Sequence, residues 1–162
     1  MSKIRFIIFF SCIFFFCCSS AWGGRVEWFG YDQGVKKAKS EKKPIFLYFY
    51  SDRCGYCQLV ENKTFSDRTV ANLLQDTYVP IRVNLFGNDR LQIKYSVFSV
   101  PCFCFLTPEG EGIAKWTGYM PKTYAKELIK KTNKSSYNKA EFGVFVQQLF
   151  ATYMYSLSAP KK

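Results

Sequence analysis

Ile45 to Tyr50 reads Ile-Phe-Leu-Tyr-Phe-Tyr, an unbroken apolar and aromatic run of strand length opened by Pro44. A strand with no polar alternation has to be covered on both faces. The chain must therefore supply helices on either side of a sheet. Its 162 residues allow one such domain with a short appendage, but not two full cores. Ser51-Asp52-Arg53 break the run, and Cys54-Gly55-Tyr56-Cys57 open a helical stretch directly after it.

The remaining elements follow from periodicity and turn residues. Residues 31–43 are polar with Val35 and Ala38 three apart, which predicts a solvated helix. Ser66 or Asp67 is placed to cap a helix carrying Val70, Leu73 and Leu74 at helical spacing. Tyr78 to Leu85 reads as a strand, Asp89 to Tyr95 as a short helix, and Cys102 to Thr107 as a third strand. A turn over Pro108 to Gly112 returns Ile113 to Thr117 antiparallel, and Pro121 to Lys131 forms a helix with Pro121 in its first turn. This order implies an α/β fold with a mixed sheet and helices on both faces. Asn133 to Asn138 reads as a polar linker. Beyond it Phe142, Phe145, Val146, Leu149, Tyr153, Met154 and Leu157 recur at the spacing of an amphipathic helix of about four turns. That helix is expected to pack on the domain; docking of a partner or a membrane surface is the other use of such a face.

The tetrapeptide Cys54-Gly55-Tyr56-Cys57 gains meaning from its place between a buried strand and a helix. A helix N-terminus presents unpaired N–H groups and the positive end of the dipole, so a thiol there ionises below its free pKa of about 8.5. Cys54 is expected to be the exposed thiolate. Cys57, one turn further in, is expected to attack the mixed disulfide and release product. Thiolate attack on a disulfide is the chemistry this spacing serves.

At this point the chain resembles the thioredoxin superfamily. Ile45 to Cys57 is similar to the family's active-site strand and helix start, and Arg82-Val83-Asn84 to its middle strand. Lys94 to Pro101 resembles the segment that ends in the family's cis-proline, and Gly118 stands where the family has a glycine after its last strand. The resemblance covers roughly residues 34–131 and is strongest to exported thioredoxin-like proteins and to the thioredoxin-like domains of periplasmic disulfide reductases. It implies a three-layer thioredoxin-like fold over residues 24–131, with residues 132–162 as linker and extra C-terminal helix. It also implies that Pro101 is cis and that Val100 pairs with an extended polypeptide beside Cys54, with Gly55 and Tyr56 in the same binding surface.

Departures from the family pattern concern the neighbours of the cysteines. Arg53 stands where thioredoxins usually carry Trp, and Tyr48 where they carry a buried acid; Glu61 is the candidate substitute for that acid. Arg53 and Arg82 are candidates for favouring thiolate at Cys54. No histidine lies between the cysteines, the feature that makes strong oxidants of this superfamily, so an intermediate to reducing protein is expected. The same motif resembles that of periplasmic disulfide isomerases. Those carry a dimerisation domain ahead of the fold, and the roughly ten residues between the expected cleavage site and the first helix favour a monomeric reductase. The alternatives are an isomerase and a non-catalytic binding or chaperone module.

The N-terminus reads as an address. Lys3 and Arg5 precede the uncharged run Phe6 to Cys18, and Ser19-Ser20-Ala21 offers small residues for cleavage near residue 21, with a second site near 23. The run is shorter than the roughly 20 apolar residues of a membrane span. Residues 1–21 are thus expected to export the chain, most plainly to a bacterial periplasm; an uncleaved anchor is the alternative. Cleavage takes the net charge from +11 to +9 by removing Lys3 and Arg5, and leaves four of seven cysteines.

The absence of histidine excludes Ser-His-Asp and Cys-His catalysis and imidazole-bound metals. Cys102 and Cys104 point to one face of a strand and read as small core residues, with trapping of Cys102 by Cys54 under oxidation as the sharper reading. The C-x-C spacing is poor for a four-cysteine zinc site, so no metal is expected, and no cofactor beyond the Cys54–Cys57 disulfide. The positive charge carries no nucleic-acid motif. Expected partners are disulfide-bearing protein substrates and a membrane or periplasmic electron donor or acceptor.

Overall fold

A computed structural model describes residues 24–132 and 138–158. The expected export segment 1–21, its cleavage positions, Cys12, Cys17, Cys18 and most of the linker lie outside these residues. The helices are α1 (Tyr31–Glu41), α2 (Gly55–Val60), α3 (Arg68–Thr77), α4 (Asp89–Tyr95), α5 (Lys122–Thr132) and α6 (Lys139–Ser158). A π turn, Glu61–Phe65, continues α2. The strands are β1 (Ile45–Tyr50), β2 (Val79–Asn84), β3 (Cys102–Leu106) and β4 (Gly112–Thr117), in the order β2-β1-β3-β4.

β1 is central and pairs parallel with β2 and antiparallel with β3, while β3 pairs antiparallel with β4. Pro44 leads into β1 without demanding a ladder N–H from itself. Ahead of α1, Phe29 adds a bridge to Ile81 on the outer edge of β2. The strand alternation divides the core in two. Ile45, Leu47 and Phe49 face one cluster with Ile81, Val83 and Cys104, and Ala38 of α1 and Tyr95 of α4 close it. Phe46 and Tyr48 face the other with Phe103, Phe105 and Trp116, beneath Cys57, Leu74, Leu128 and Val146. All six β1 side chains thus find cover, Tyr50 being only half-buried at the end of the strand.

Local sequence sets the helix ends. The Asp67 carboxylate accepts from the N–H groups of Thr69 and Val70 and so caps α3. Lys126 of α5 also pairs with Asp67 at 3.0 Å, and this hydrogen-bonded ammonium, with the Val70 N–H, holds the carboxyl below its usual range. Gly118 ends β4 at φ +93°, a conformation that needs glycine, and its N–H donates to the Pro101 carbonyl at 2.8 Å.

α6 belongs to the core. Phe142 and Val146 are fully buried, and the Phe142 ring meets Phe105 at 5.3 Å. Each such side chain contributes about 1.5–3 kcal/mol on burial. The helix has 20 residues, longer than the four turns expected. Met154 and Leu157, expected on its packed face, are 49% and 62% exposed, because the surface beneath the helix ends at Tyr153.

α1 buries Gly34 and Ala38, while Val35 is only half-buried. A Cβ on Gly34 would lie 2.4 Å from Cγ1 of the fully buried Ile81. Gly34→Ala therefore sets a helix-propensity gain of about 1 kcal/mol against an overpacking cost of about 1–3 kcal/mol. With Ile81 held on all sides, chemical denaturation should show a net loss of stability, up to about 2 kcal/mol; a more stable variant would show that α1 lifts from β2 without cost.

Candidate active site

β1 delivers the chain at the end of the sheet, and a tight turn follows in which the Cys54 N–H donates to the Ser51 carbonyl at 3.1 Å. Cys54 has extended backbone and is the N-cap of α2: its Sγ accepts from the Cys57 N–H at 3.0 Å. The reactive atom is therefore also the cap that starts the helix. Cys54 and Cys57 are joined as a disulfide, with their Cα atoms 5.2 Å apart. Cys54 is half-buried, Cys57 is 1% exposed, and the intervening Gly55 and Tyr56 are exposed, Tyr56 by 66%.

The loop before β3 forms the facing side of the site. The Val100–Pro101 peptide bond is cis, and the Val100 carbonyl oxygen lies 3.6 Å from Cys54 Sγ. Val100 packs against both core clusters, and the Pro101 carbonyl is held by Gly118. A third side comes from the segment after β4. There the buried Thr64 hydroxyl of the π turn donates to the Met120 carbonyl at 2.7 Å, tying that segment to the redox helix.

Four further residues were candidates for shaping the chemistry, and the structure separates them. Glu61 follows Cys57 by four residues, and its N–H donates to the Cys57 carbonyl, so the two side chains share one helix face with Cβ atoms about 5–6 Å apart. The Tyr48 hydroxyl donates to Glu61 Oε1 at 3.3 Å, and Arg82 Nη2 lies 3.6 Å from the same oxygen. Burial first, and then the adjacent Glu61 carboxylate, push the Tyr48 phenol up, so it remains a donor. A cavity of about 590 Å³, lined in part by Arg25, Trp28, Asn62 and Arg82, opens onto Glu61.

Arg82 faces this carboxylate and stacks over the Tyr50 ring at 4.1 Å, so its charge is engaged at Glu61 and not at Cys54. Arg53 is exposed, and among the described residues its guanidinium makes no ion pair. Cys102 is not brought to the redox pair: it pairs in register with Phe49, and its side chain joins Leu47 and Phe49 in the opposite core. Thr117 Oγ1 donates to its sulfur at 3.7 Å, and neighbouring Cys104, interacting with Cys102 and buried, has its thiol pushed up.

Two features of the site had no sequence signal strong enough to assign. One is the Tyr48–Glu61–Arg82–Tyr50 cluster, which depends on β1 and β2 lying in register (Tyr48 opposite Arg82, Tyr50 opposite Asn84). The other is the packing of Trp28 against Tyr48 and Phe65 from a segment ahead of α1 with no periodicity of its own.

Comparison with known proteins agrees with this architecture. A family model described as a thioredoxin-like domain matches residues 31–133. The uncharacterized protein B0495.5 of Caenorhabditis elegans is 30% identical over 105 residues, which is 59% of this chain and 14% of that protein. The thiol:disulfide interchange protein DsbD of Campylobacter jejuni (strain RM1221) is 31% identical over 105 residues, 62% of this chain and 18% of DsbD. The chain thus spans less than a fifth of the length of either curated relative. A thioredoxin from Thermus thermophilus superposes with a TM-score of 0.59 at 24% identity, covering 65% of this chain and 85% of the thioredoxin. With its fold, its helix-capping cysteine pair and a family match over most of its length, the chain belongs to the thioredoxin-like domain family.

Proposed function

We propose that the protein is an exported thiol-disulfide oxidoreductase that reduces disulfides in polypeptides. The observation that carries this reading is the closed Cys54–Cys57 disulfide at a helix N-terminus, facing a peptide carbonyl 3.6 Å away. In the reduced protein the Cys54 thiolate attacks one sulfur of a substrate disulfide. A Cys54–substrate disulfide forms, and the other substrate sulfur leaves as thiolate and takes up a proton. Cys57 then loses its proton and attacks Cys54 Sγ, releasing the second substrate sulfur. Two electrons pass to the substrate, and the enzyme is left with the Cys54–Cys57 disulfide. A dithiol donor in the membrane or periplasm returns two electrons and restores the pair.

The division of labour follows exposure: a substrate sulfur can reach half-buried Cys54 but not Cys57. The helix N-terminus favours thiolate at Cys54, since the N–H of Cys57 already points at its sulfur. Val100, Gly55 and Tyr56 supply the surface along which an extended chain lies. Glu61 accepts the proton of Cys57 during resolution. It shares the helix face of that thiol, Tyr48 and Arg82 orient it, and the adjoining cavity connects it to solvent. With residues 1–21 acting as a secretory signal, this chemistry takes place where substrate disulfides persist. Similarity to DsbD, a thiol:disulfide interchange protein, supports the same class of reaction.

Three substitutions test these assignments. Cys54→Ser should abolish dithiothreitol-driven reduction of insulin, and retained turnover would remove Cys54 from the mechanism. Cys57→Ser should accumulate mixed disulfides that non-reducing electrophoresis displays and thiols dissolve. Glu61→Gln should lengthen the life of the mixed disulfide by roughly a hundredfold in quenched-flow experiments, the lower range for loss of a general base; an unchanged lifetime excludes Glu61 from proton transfer.

A further inference from the structure

Cys102 and Cys104 form a second pair of thiols, which the exchange reaction does not use. They stand two residues apart on β3, and strand alternation puts both on the face that carries Leu47 and Phe49. Both are free and buried, and their side chains hydrogen-bond to one another. The antiparallel register with β4 sets Thr117 beside Cys102 and Lys115 beside Cys104 on that same face. The Thr117 hydroxyl donates to Cys102 Sγ at 3.7 Å. The Lys115 ammonium is anchored close by, donating to the Tyr95 and Ser96 carbonyls at 2.6 and 2.8 Å.

Distance decides what such a pair can hold. Two residues along a strand separate the Cα atoms by about 6.6 Å, the far end of what a disulfide tolerates. A disulfide would also draw the sulfurs to about 2.0 Å. An ion between them, at about 2.3 Å per metal–sulfur bond, lets the sulfurs stand up to about 4.6 Å apart. Zinc asks for four ligands, and among the described residues no His, Cys, Asp or Glu completes even a group of three. A site of two sulfurs therefore suits a soft ion content with two ligands, and thiolates select monovalent copper in that role.

Charge and access agree with this occupant. Binding replaces two thiol protons, which pass to solvent, and the copper keeps its oxidation state. Two thiolates with one Cu(I) carry a single negative charge, whose burial needs a partner. Lys115 supplies one positive charge from the neighbouring strand, and Thr117 a hydroxyl donor. Lys115 and Thr117 are exposed, so this face of β4 is open. A cavity of about 570 Å³, lined in part by Tyr95, Leu106 and Lys115, leads from there to Cys104.

We propose that Cys102 and Cys104 bind one monovalent copper ion, with Lys115 and Thr117 offsetting its charge. The site is distinct from the redox pair, since Cys57 belongs to the core on the other face of the sheet.

The test uses the full chain carrying C12S/C17S/C18S/C54A/C57A, in which Cys102 and Cys104 are the remaining cysteines. It is titrated without oxygen against Cu(I) held by bicinchoninate, a coloured chelator. One copper per chain should leave the chelator, with thiolate-to-copper absorption in the ultraviolet rising in step. Adding C102A/C104A should leave all the copper on the chelator. Lys115→Gln, at an exposed position, should weaken binding by about tenfold, the lower range for a group that supports metal ligands. No uptake by the chain that keeps Cys102 and Cys104, or equal uptake by the chain that lacks them, overturns the site. Undiminished affinity in Lys115→Gln overturns the charge pairing. None of these outcomes bears on disulfide exchange at Cys54 and Cys57.

Discussion

One interaction organises this molecule: the sulfur of Cys54 accepts the N–H of Cys57 and so begins the helix that carries Cys57. The cap needs extended backbone at Cys54, which the turn from Ser51 provides, and β1 delivers that turn at the end of the sheet. β1 can hold its place only because helices cover both of its faces. Fold and chemistry therefore share a single constraint. The strand that demands two helical layers is the strand that aims the reactive sulfur, and one orphan donor of the helix, the Cys57 N–H, is satisfied by that same sulfur.

Around this cap the protein departs from the family pattern in a coherent way. Tyr48 occupies the place of a buried acid, and its hydroxyl reaches across to Glu61, a carboxylate supplied from the redox helix itself. Arg82 lies against the same carboxylate and on the Tyr50 ring. The acid has thus moved from strand to helix, from deep burial to a position beside a solvent cavity.

What the sequence made legible was what depends on neighbours in the chain. The bounds of β1 and α4, the Asp67 cap and the redox tetrapeptide all follow from local runs and turn residues. Strand parity also put Cys102 and Cys104 on one face. It could not say which face, because that depends on Cys102 lying opposite Phe49 in the antiparallel register. Glu61 was a candidate only as the substitute for the acid missing at Tyr48, and its partners come from β1 and β2 and exist only once those strands pair. The periodicity of α6 gave the direction of its apolar stripe and said nothing of how far the surface beneath it extends. Met154 and Leu157 fall in that gap.

The direction of electron flow is the central functional claim, and it is a property of the pair's equilibrium with a reference dithiol. Cys54 gains from the helix N-terminus but has no histidine between it and Cys57 to stabilise the thiolate further. Equilibration of the Cys54–Cys57 pair in defined glutathione buffers, read by mass spectrometry after alkylation, gives the potential directly. A value close to that of thioredoxin, about −270 mV, is expected for a reductase; a value near about −120 mV would mark an oxidant and contradict it.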